Sequence, residues 1–400
     1  MIALRYLPPL SLYIHLPWCI KKCPYCDFNS HATHNASFPE QAYIDALVRD
    51  LDSAAPALQG REVISIFIGG GTPSLFSAAS LQQLLSAVRT RMQLAPDVEI
   101  TLEANPGTFE AERFHAYRET GINRLSIGIQ SFDDKKLSRL GRIHDAARAI
   151  DAIRIARSAG FERINIDLMY GLPDQTVAEA LEDLGTGIAA GASHLSWYQL
   201  TIEPNTVFYK TPPRVPEDDL IWDIQQAGQQ LLSTAGLQQY EISAYASAGQ
   251  QCRHNLNYWL FGDYLGIGAG AHGKLTDHDT GKIYRHVRHR LPERYMALAG
   301  QPAVITETRQ LGEADQILEF MMNALRLCGG FEKDIFVRHT GLALEVLKVP
   351  LAQAHAAGWM VTQDSIIRPT VSGMNYLNDL LQCFMPDCPE QRIQEGIKGI

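Results

Sequence analysis

Three cysteines within eight positions are the clearest chemical feature of this sequence. Cys19, Cys23 and Cys26 stand in the stretch HLPWCIKKCPYCDFNSH (15–31) with the spacing C-x3-C-x2-C. A structural zinc ion usually takes four ligands, often two cysteine pairs separated by a longer loop, and no partner pair follows here. Three thiolates in one short loop can instead hold three irons of a [4Fe–4S] cluster. The fourth iron would then be an open coordination site for a substrate or cofactor, with zinc binding as the alternative.

Polar residues also lie near the carboxyl ends of predicted β-strands. They are Glu103, Gln130 and Asp167, and three glycines at 69–71 end another strand. Active sites of parallel barrels are built at this edge, and glycines there let the backbone approach a ligand closely. Any one of the three polar side chains could simply be buried and satisfied by the backbone. Their common placement predicts a ligand site at the carboxyl edge of a parallel sheet.

The elements that must position these residues are short apolar runs that alternate with longer helical patterns up to about residue 245. In residues 78–92, for example, leucines recur at the spacing of one helix face. Strands alternating with helices of ten or more residues predict βαβ units, and six or seven of them indicate an α/β fold with a partial or complete (β/α) barrel. The predicted strands are SLYIHL (11–16), VISIFIG (63–69), VEITLEA (98–104), RLSIGIQ (124–130), RINIDLM (163–169), HLSWYQL (194–200) and, as a seventh, QYEISAY (239–245).

The pattern changes near residue 300. A helix is predicted in EADQILEFMMNALRL (313–327), and more helical sequence, a strand pair in WMVTQDSIIRP (359–369) and a last helix at 371–384 follow. Helices, a hairpin and another helix are typical of a winged-helix-like module. Such modules often bind DNA, but no basic stripe is present, which favours a structural or partner-docking role. We therefore expect a barrel domain at 1–295 and a smaller, mostly helical domain at 296–400.

Composition narrows the class of protein. The chain has 400 residues, a formal net charge of −9 and an apolar fraction of 46%, which is typical of a globular protein and argues against a nucleic-acid partner. The first residues, MIALRYLPPLSLYIH, lack a secretion signal, and no run of eighteen apolar residues occurs. These features predict a cytoplasmic location, where thiols stay reduced. An odd number of cysteines, seven, then indicates metal ligation rather than disulfides.

The cysteine loop, with Tyr25 directly before the last cysteine, resembles that of the radical S-adenosylmethionine (SAM) superfamily. The resemblance implies that the open iron chelates the amino and carboxylate groups of SAM, and that reduction of the cluster yields a 5′-deoxyadenosyl radical. It assigns Tyr13, Gly70 and Glu103 to this SAM. Other positions match residues that contact SAM in a related oxidase, where some of them bind a second SAM molecule. These are Tyr25, Gly71, Thr72, Gln130, Arg142 and Asp167.

Over nearly its whole length the chain resembles the branch that contains oxygen-independent coproporphyrinogen III oxidase and the HemW-type haem chaperones. The resemblance rests on the segments YIHLPWC, IGGGTPS, EANPG, SIGIQSF, LGRIH, DLMYGLP and HNLNYWLFGDYLGIGAGAHG. Two features differ from the oxidase. Phe28 stands where the oxidase has a fourth cysteine, and only ten residues precede the first predicted strand, where the oxidase has a long extension. Both differences favour the chaperone.

The segment HNLNYW (254–259) matches a motif that is associated with haem binding in the chaperone family. His254 offers a neutral imidazole that can ligate iron. Tyr258 and Trp259 offer flat apolar faces for a macrocycle. A hydrogen-bonded core histidine is the alternative interpretation, and Cys252 or another of the histidines is a competing candidate for the iron ligand.

The resemblance thus implies a chaperone that carries a [4Fe–4S] cluster and SAM, binds haem and delivers it to acceptor haemoproteins, membrane-bound ones included. The alternative is an enzyme, an oxygen-independent coproporphyrinogen III oxidase that performs radical SAM oxidative decarboxylation. A scaffold that uses the cluster only structurally would leave the SAM ligand set superfluous. Whether the chain is an enzyme stays open at this point, as does the formation of a homodimer.

Overall fold

The structure, a computed structural model, describes residues 7–33, 37–58, 60–107 and 113–386. Its strands are β1 (Leu10–Leu16), β2 (Trp18–Cys19), β3 (His31–Ala32), β4 (Glu62–Gly70), β5 (Gln93–Ala104), β6 (Arg124–Gln130), β7 (Arg163–Tyr170), β8 (His194–Gln199), β9 (Gln238–Glu241), β10 (Ala244–Ala246), β11 (Asp263–Ile267), β12 (His272–Thr276), β13 (Ile283–Arg288), β14 (Ile305–Gln310), β15 (Phe331–Glu332), β16 (Met360–Gln363) and β17 (Ile366–Pro369). Its helices are α1 (Glu40–Ala54), α2 (Ala78–Arg91), α3 (Phe114–Glu119), α4 (Asp134–Arg139), α5 (Ala146–Ser158), α6 (Val177–Ala189), α7 (Val207–Lys210), α8 (Asp218–Thr234), α9 (Arg253–Trp259), α10 (Pro292–Leu298), α11 (Glu313–Ala324), α12 (Lys333–Thr340), α13 (Lys348–Ala356), α14 (Val371–Asn375) and α15 (Leu377–Gln382).

Seven parallel strands form the centre of a twelve-stranded sheet, in the order β11-β1-β4-β5-β6-β7-β8. Strands in such a sheet are covered on both faces, so they contain long apolar runs. In β6, for example, six of the seven residues are buried. Among the described residues the two outermost strands of the sheet, β14 and β9, do not pair with each other. The predicted α/β fold is therefore confirmed, as a partial rather than a closed barrel.

Antiparallel strands extend the sheet at both sides. β12, β13 and β14 follow β11 on one side, and β10 and β9 follow β8 on the other. The single strand predicted at 239–245 is wrong, because the chain turns at residues 242–243 and forms the β9–β10 hairpin instead. The Glu241 carboxylate accepts hydrogen bonds from the backbone N–H and the hydroxyl of Ser243 at this turn. This turn divides the predicted strand into two short strands, and the residue types in the segment do not reveal it.

Helices cover the outer face of the parallel strands, and α2 shows how the sequence specifies them. Ser77 caps its start, because the hydroxyl oxygen accepts a hydrogen bond from the backbone N–H of Ser80 at 3.2 Å. Leu81, Leu84 and Leu85 lie at helical spacing and are all buried in the large core of the barrel. The apolar stripe thus fixes which face of the helix meets the sheet.

A second core lies in the carboxyl-terminal part of the chain. It is formed mainly by residues between Leu311 and Phe384. Phe261 and Ile283, from the part of the chain that forms the twelve-stranded sheet, also contribute to it. Helices α11 to α15 surround a small antiparallel sheet of order β15-β17-β16. This is the predicted arrangement of helices around a hairpin, and the boundary at 295/296 stays a prediction. No helix in the described part of the chain is long and apolar enough to cross a membrane.

Candidate functional site

A cavity of about 360 Å³ opens at the carboxyl ends of the parallel strands. Most of the residues that the sequence selected for a cluster and SAM line this one cavity, although they come from six separate stretches of the chain. They are Cys19, Cys23, Tyr25, Cys26, Gly70, Gly71, Thr72, Glu103, Gln130, Arg142 and Asp167. A volume of this size is within the range of small-molecule sites.

The cysteine loop is anchored at both of its ends. β2 and β3 pair in parallel, which ties Trp18 to His31 and closes the loop between them. Within the loop, the Lys22 ammonium donates to the backbone oxygen of Phe28 at 2.9 Å. The Asn29 amide donates to the backbone oxygen of Ala269 at 2.9 Å, which fixes the loop to the barrel. These backbone and side-chain contacts hold the loop that carries the three thiols at the cavity.

The donor set of this loop agrees with a cluster. Burial raises the pKa of the Cys19 and Cys26 thiols, so metal binding must displace their protons. Among the described residues, no three His, Cys, Asp or Glu side chains could hold one metal ion. A cuboidal cluster does not require such convergence, because each thiolate binds a different iron.

Glycines shape the wall of the cavity beside the cysteines. Gly70 has a φ of +118°, and a Cβ atom there would lie 2.5 Å from the ring of His15. A Cβ atom on Gly71 would lie 2.6 Å from the backbone oxygen of Trp18. Both positions therefore require glycine. The next residue, Thr72, donates its backbone N–H to Trp18 at 2.7 Å, so the turn is tied to the cysteine loop.

Two buried carboxyl groups face the cavity. Burial, together with the charge of Asp167, raises the pKa of Glu103 to about 7, although the Gly70 N–H donates to this carboxylate at 3.0 Å. Burial also raises the pKa of Asp167, which accepts hydrogen bonds from Asn165 and Ser126. Two carboxylates with raised pKa values favour a ligand that brings positive charge, because a cation would stabilise their ionised forms.

Arg142 supplies a positive charge to the lining of the same cavity. Its guanidinium donates to the side-chain oxygen of Asn105 at 2.7 Å and lies 3.7 Å from the Cys23 sulfur. Its buried Nε has no hydrogen-bond partner among the described residues.

Gln130 is held in the left-handed region with a φ of 75° and accepts a hydrogen bond from the Tyr198 hydroxyl at 2.8 Å. Strained backbone of this kind is concentrated at ligand sites.

Tyr13 is the one SAM candidate outside the cavity lining. It lies on β1, and its hydroxyl is 2.9 Å from Nδ1 of His15. The structure also adds lining residues that sequence reasoning missed, among them Asn105, Tyr198 and Gln199. The last two stand at the carboxyl end of β8, so the rule that selected Glu103, Gln130 and Asp167 would have found them had it been applied to this strand.

The HNLNYW segment lies at the other end of the barrel. It forms α9, which packs beneath the amino-terminal parts of β1 and β4. His254 is buried, and its Nδ1 lies 3.1 Å from the hydroxyl of Ser65. Burial lowers the pKa of His254 to about 3, so the ring is neutral. The guanidinium of Arg326 lies over the ring of Trp259, 4.4 Å from its centroid. The roles of His254, Tyr258 and Trp259 in haem binding stay predictions.

Glu99 holds α9 in place. Its Oε1 accepts from the backbone N–H groups of Arg253 at 2.9 Å and His254 at 3.3 Å, while Oε2 lies 2.9 Å from the Arg163 guanidinium.

We expect Glu99→Ala to lower the free energy of unfolding by about 2–3 kcal/mol, because it leaves buried donors unpaired. Urea denaturation checks this. The control is Asp97→Ala, which removes an exposed ion pair to the same Arg253 and should cost less than about 1 kcal/mol. Equal losses in the two variants would contradict this role for Glu99.

Comparisons with known proteins agree with this geometry. Residues 13–184 match the model of the Radical SAM superfamily, and residues 311–375 match the HemN C-terminal domain. The chain is 51% identical over 381 residues to the Heme chaperone HemW of Escherichia coli. The matched region covers 95% of this chain and 99% of that protein. It is 51% identical over 385 residues to the Heme chaperone HemW of Haemophilus influenzae and 34% identical over 381 residues to that of Bacillus subtilis.

A solved structure shows the same fold. Coproporphyrinogen III oxidase (HemN) from Escherichia coli superposes with a TM-score of 0.80, over 95% of this chain and 91% of that one. The two sequences are 24% identical, so this likeness concerns the fold alone.

Proposed function

Because the chain belongs to the HemW family of haem chaperones, within the radical SAM superfamily, we propose that it binds haem and delivers it to acceptor haemoproteins. The observation that carries the proposal is identity of 51% along almost the whole length of two proteins named as haem chaperones. Chaperoning of this kind would take place in the cytosol, as the composition predicts.

We further propose that the cavity holds a [4Fe–4S] cluster and SAM. The cluster would supply an iron with an open coordination position, which the amino and carboxylate groups of SAM can occupy. Three thiols in one anchored loop support the cluster. The carboxyl groups of Glu103 and Asp167 would stabilise the positive charge of the SAM sulfonium, and the backbone of the 70–72 turn would approach SAM closely.

The oxidase is the second candidate, and Phe28 argues against it. This side chain stands at the position of the oxidase's fourth cysteine, lines the mouth of the cavity and is 59% exposed. A phenyl ring cannot ligate iron or carry out thiol chemistry, so any step that needs this cysteine is lost. The fold shared with the oxidase does not by itself imply the same reaction.

One experiment separates the two functions. Anaerobically reconstituted protein is mixed separately with haem and, after reduction and addition of SAM, with coproporphyrinogen III. We expect a shifted Soret band with haem and no protoporphyrinogen IX above a protein-free control. Haem-loaded protein should then lose its Soret signal to an apo-haemoprotein. Catalytic formation of protoporphyrinogen IX would overturn the chaperone proposal, and an unshifted Soret band would remove its basis.

A further inference from the structure

A groove of about 650 Å³ lies between the barrel and the carboxyl-terminal core. It is separate from the cysteine cavity and at the opposite end of the strands. Its walls are the outer face of α9, the first residues of β4 and β5, and one side of α12. The apolar lining includes Ile64, Ala95, Leu256, Leu260 and Ile335. Its volume is in the range of sites that bind small molecules of substantial size.

The HNLNYW segment contributes to this groove through the face opposite to its histidine. Arg253, Leu256, Asn257 and Leu260 line the groove, and their spacing of three and four residues places them on one side of the helix. His254 instead packs towards the barrel interior, 5.1 Å from the ring of Phe67. The segment therefore supplies apolar surface to the groove, while its histidine is directed elsewhere.

A second histidine lines the groove with the geometry of a metal ligand. The His339 side chain lies on α12 and is only 5% exposed. Its Nδ1 lies 2.6 Å from the backbone oxygen of Leu260. A carbonyl oxygen can only accept, so the proton is on Nδ1 and the lone pair is on Nε2, which has no hydrogen-bond partner among the described residues. Ligating histidines are commonly oriented in this way, by donating their other N–H to a carbonyl.

The ring is also in the right charge state. Burial lowers the pKa of His339 to about 4, although the hydrogen bond to Leu260 acts in the opposite direction, and the charge of Lys274 lowers it further. His339 is therefore neutral near pH 7, as an iron ligand must be.

Cationic side chains stand at the rim of the groove. Arg253 pairs with Asp97 at 2.7 Å, and Arg338 pairs with Asp334 at 2.7 Å. All four side chains are between 41% and 71% exposed. Exposed ion pairs contribute little to stability, so another carboxylate can replace either aspartate at small cost. The carboxylates of Glu62 and Asp97 also line the groove. Its apolar walls, the buried imidazole and the two guanidinium groups together suit a flat, largely apolar iron complex that carries carboxylates.

We propose that haem binds in this groove, where Nε2 of His339 would ligate the iron and Arg253 and Arg338 would pair with the haem carboxylates. The proposal rests on the proposed haem binding and assigns it a site. It also gives α9 a part in that site through Leu256, together with Leu260 directly after the helix, rather than through His254.

The test is haem titration of the full-length protein and its variants, followed by the Soret band. His339→Ala and His339→Gln should each lower haem affinity at least tenfold. The glutamine variant can still donate to the Leu260 oxygen, so it separates ligation from support of the backbone. His339→Cys should retain binding with a Soret band of the thiolate type. Ile335→Trp, which fills the groove but leaves the ligand, should also weaken binding, whereas His355→Ala, on the exposed side of α13, should leave it unchanged.

The outcomes distinguish this site from the function itself. No haem binding by the unsubstituted protein would contradict the proposed function. Binding that is normal in the unsubstituted protein and unaffected by His339→Gln and Ile335→Trp would overturn the groove. Loss of binding in His254→Ala alone would transfer the ligand to the HNLNYW histidine. Iron-free protoporphyrin IX provides the last control. If it bound as tightly as haem, and if His339→Gln did not change its affinity, the role of His339 in ligating iron would be overturned.

Discussion

Replacing any one of Cys19, Cys23 or Cys26 by alanine is expected to abolish a stable [4Fe–4S] centre. Each thiolate would hold a different iron, so two cysteines cannot take over the task of three. The other described cysteines lie elsewhere and line no part of this cavity. Cys252, for example, is fully buried at the far end of the barrel, with its sulfur 3.5 Å from Glu99. Within the described parts of the chain, no other thiol is therefore available to the loop.

Iron and acid-labile sulfide content after anaerobic reconstitution checks this prediction, together with the absorbance of the cluster. Cys328→Ala and Cys383→Ala are the matched controls, because they remove a thiol without touching the cavity, and both should retain full iron and sulfide. Cys388 lies outside the described residues. A Cys23→Ala variant that kept the full iron and sulfide content would refute the cluster assignment.

Glu103→Gln is expected to weaken SAM binding about tenfold to a hundredfold while the cluster stays intact. Hydrogen bonds to charged groups contribute about 1.5–3 kcal/mol, and the glutamine removes the charge but preserves the shape. The Gly70 N–H can still donate to the amide oxygen, so the glycine turn should keep its conformation. Titration calorimetry on reconstituted protein measures the affinity. Glu307→Gln, at an exposed position of β14, should bind SAM normally.

The pH dependence gives the same residue a second, independent test. The raised pKa of about 7 means that Glu103 is largely protonated at pH 6 and largely ionised at pH 8. Only the ionised carboxylate carries a negative charge that attracts the sulfonium of SAM, so affinity should rise as pH increases through 7. Because the glutamine variant has no such group, its affinity should lack this rise. An equal rise in both proteins would show that another group is responsible.

Local features of the sequence are sufficient to predict six of the seven parallel strands and the cluster loop, but they do not identify the seventh parallel strand, β11. Apolar runs such as RLSIGIQ correspond to strand β6 residue by residue, because a strand buried on both faces requires continuous apolar sequence. The three cysteines are within one loop, so their spacing alone indicates shared chemistry. Glu103, Gln130 and Asp167 could be grouped before the structure was known, since the carboxyl ends of parallel strands meet at one edge.

Only the tertiary structure decides which residues from distant parts of the chain meet. Arg142 reaches the sulfur of Cys23 across 119 positions of sequence, and no spacing predicts that contact. The HNLNYW segment shows nothing in its sequence of what surrounds it in the fold. Packing directs His254 towards Ser65 and leaves Leu260 to meet His339 across an interface between two cores. Sequence patterns report a residue's local periodicity, whereas the partner of each face depends on long-range packing. Which of the two histidines lines the groove is therefore decided only by the tertiary structure.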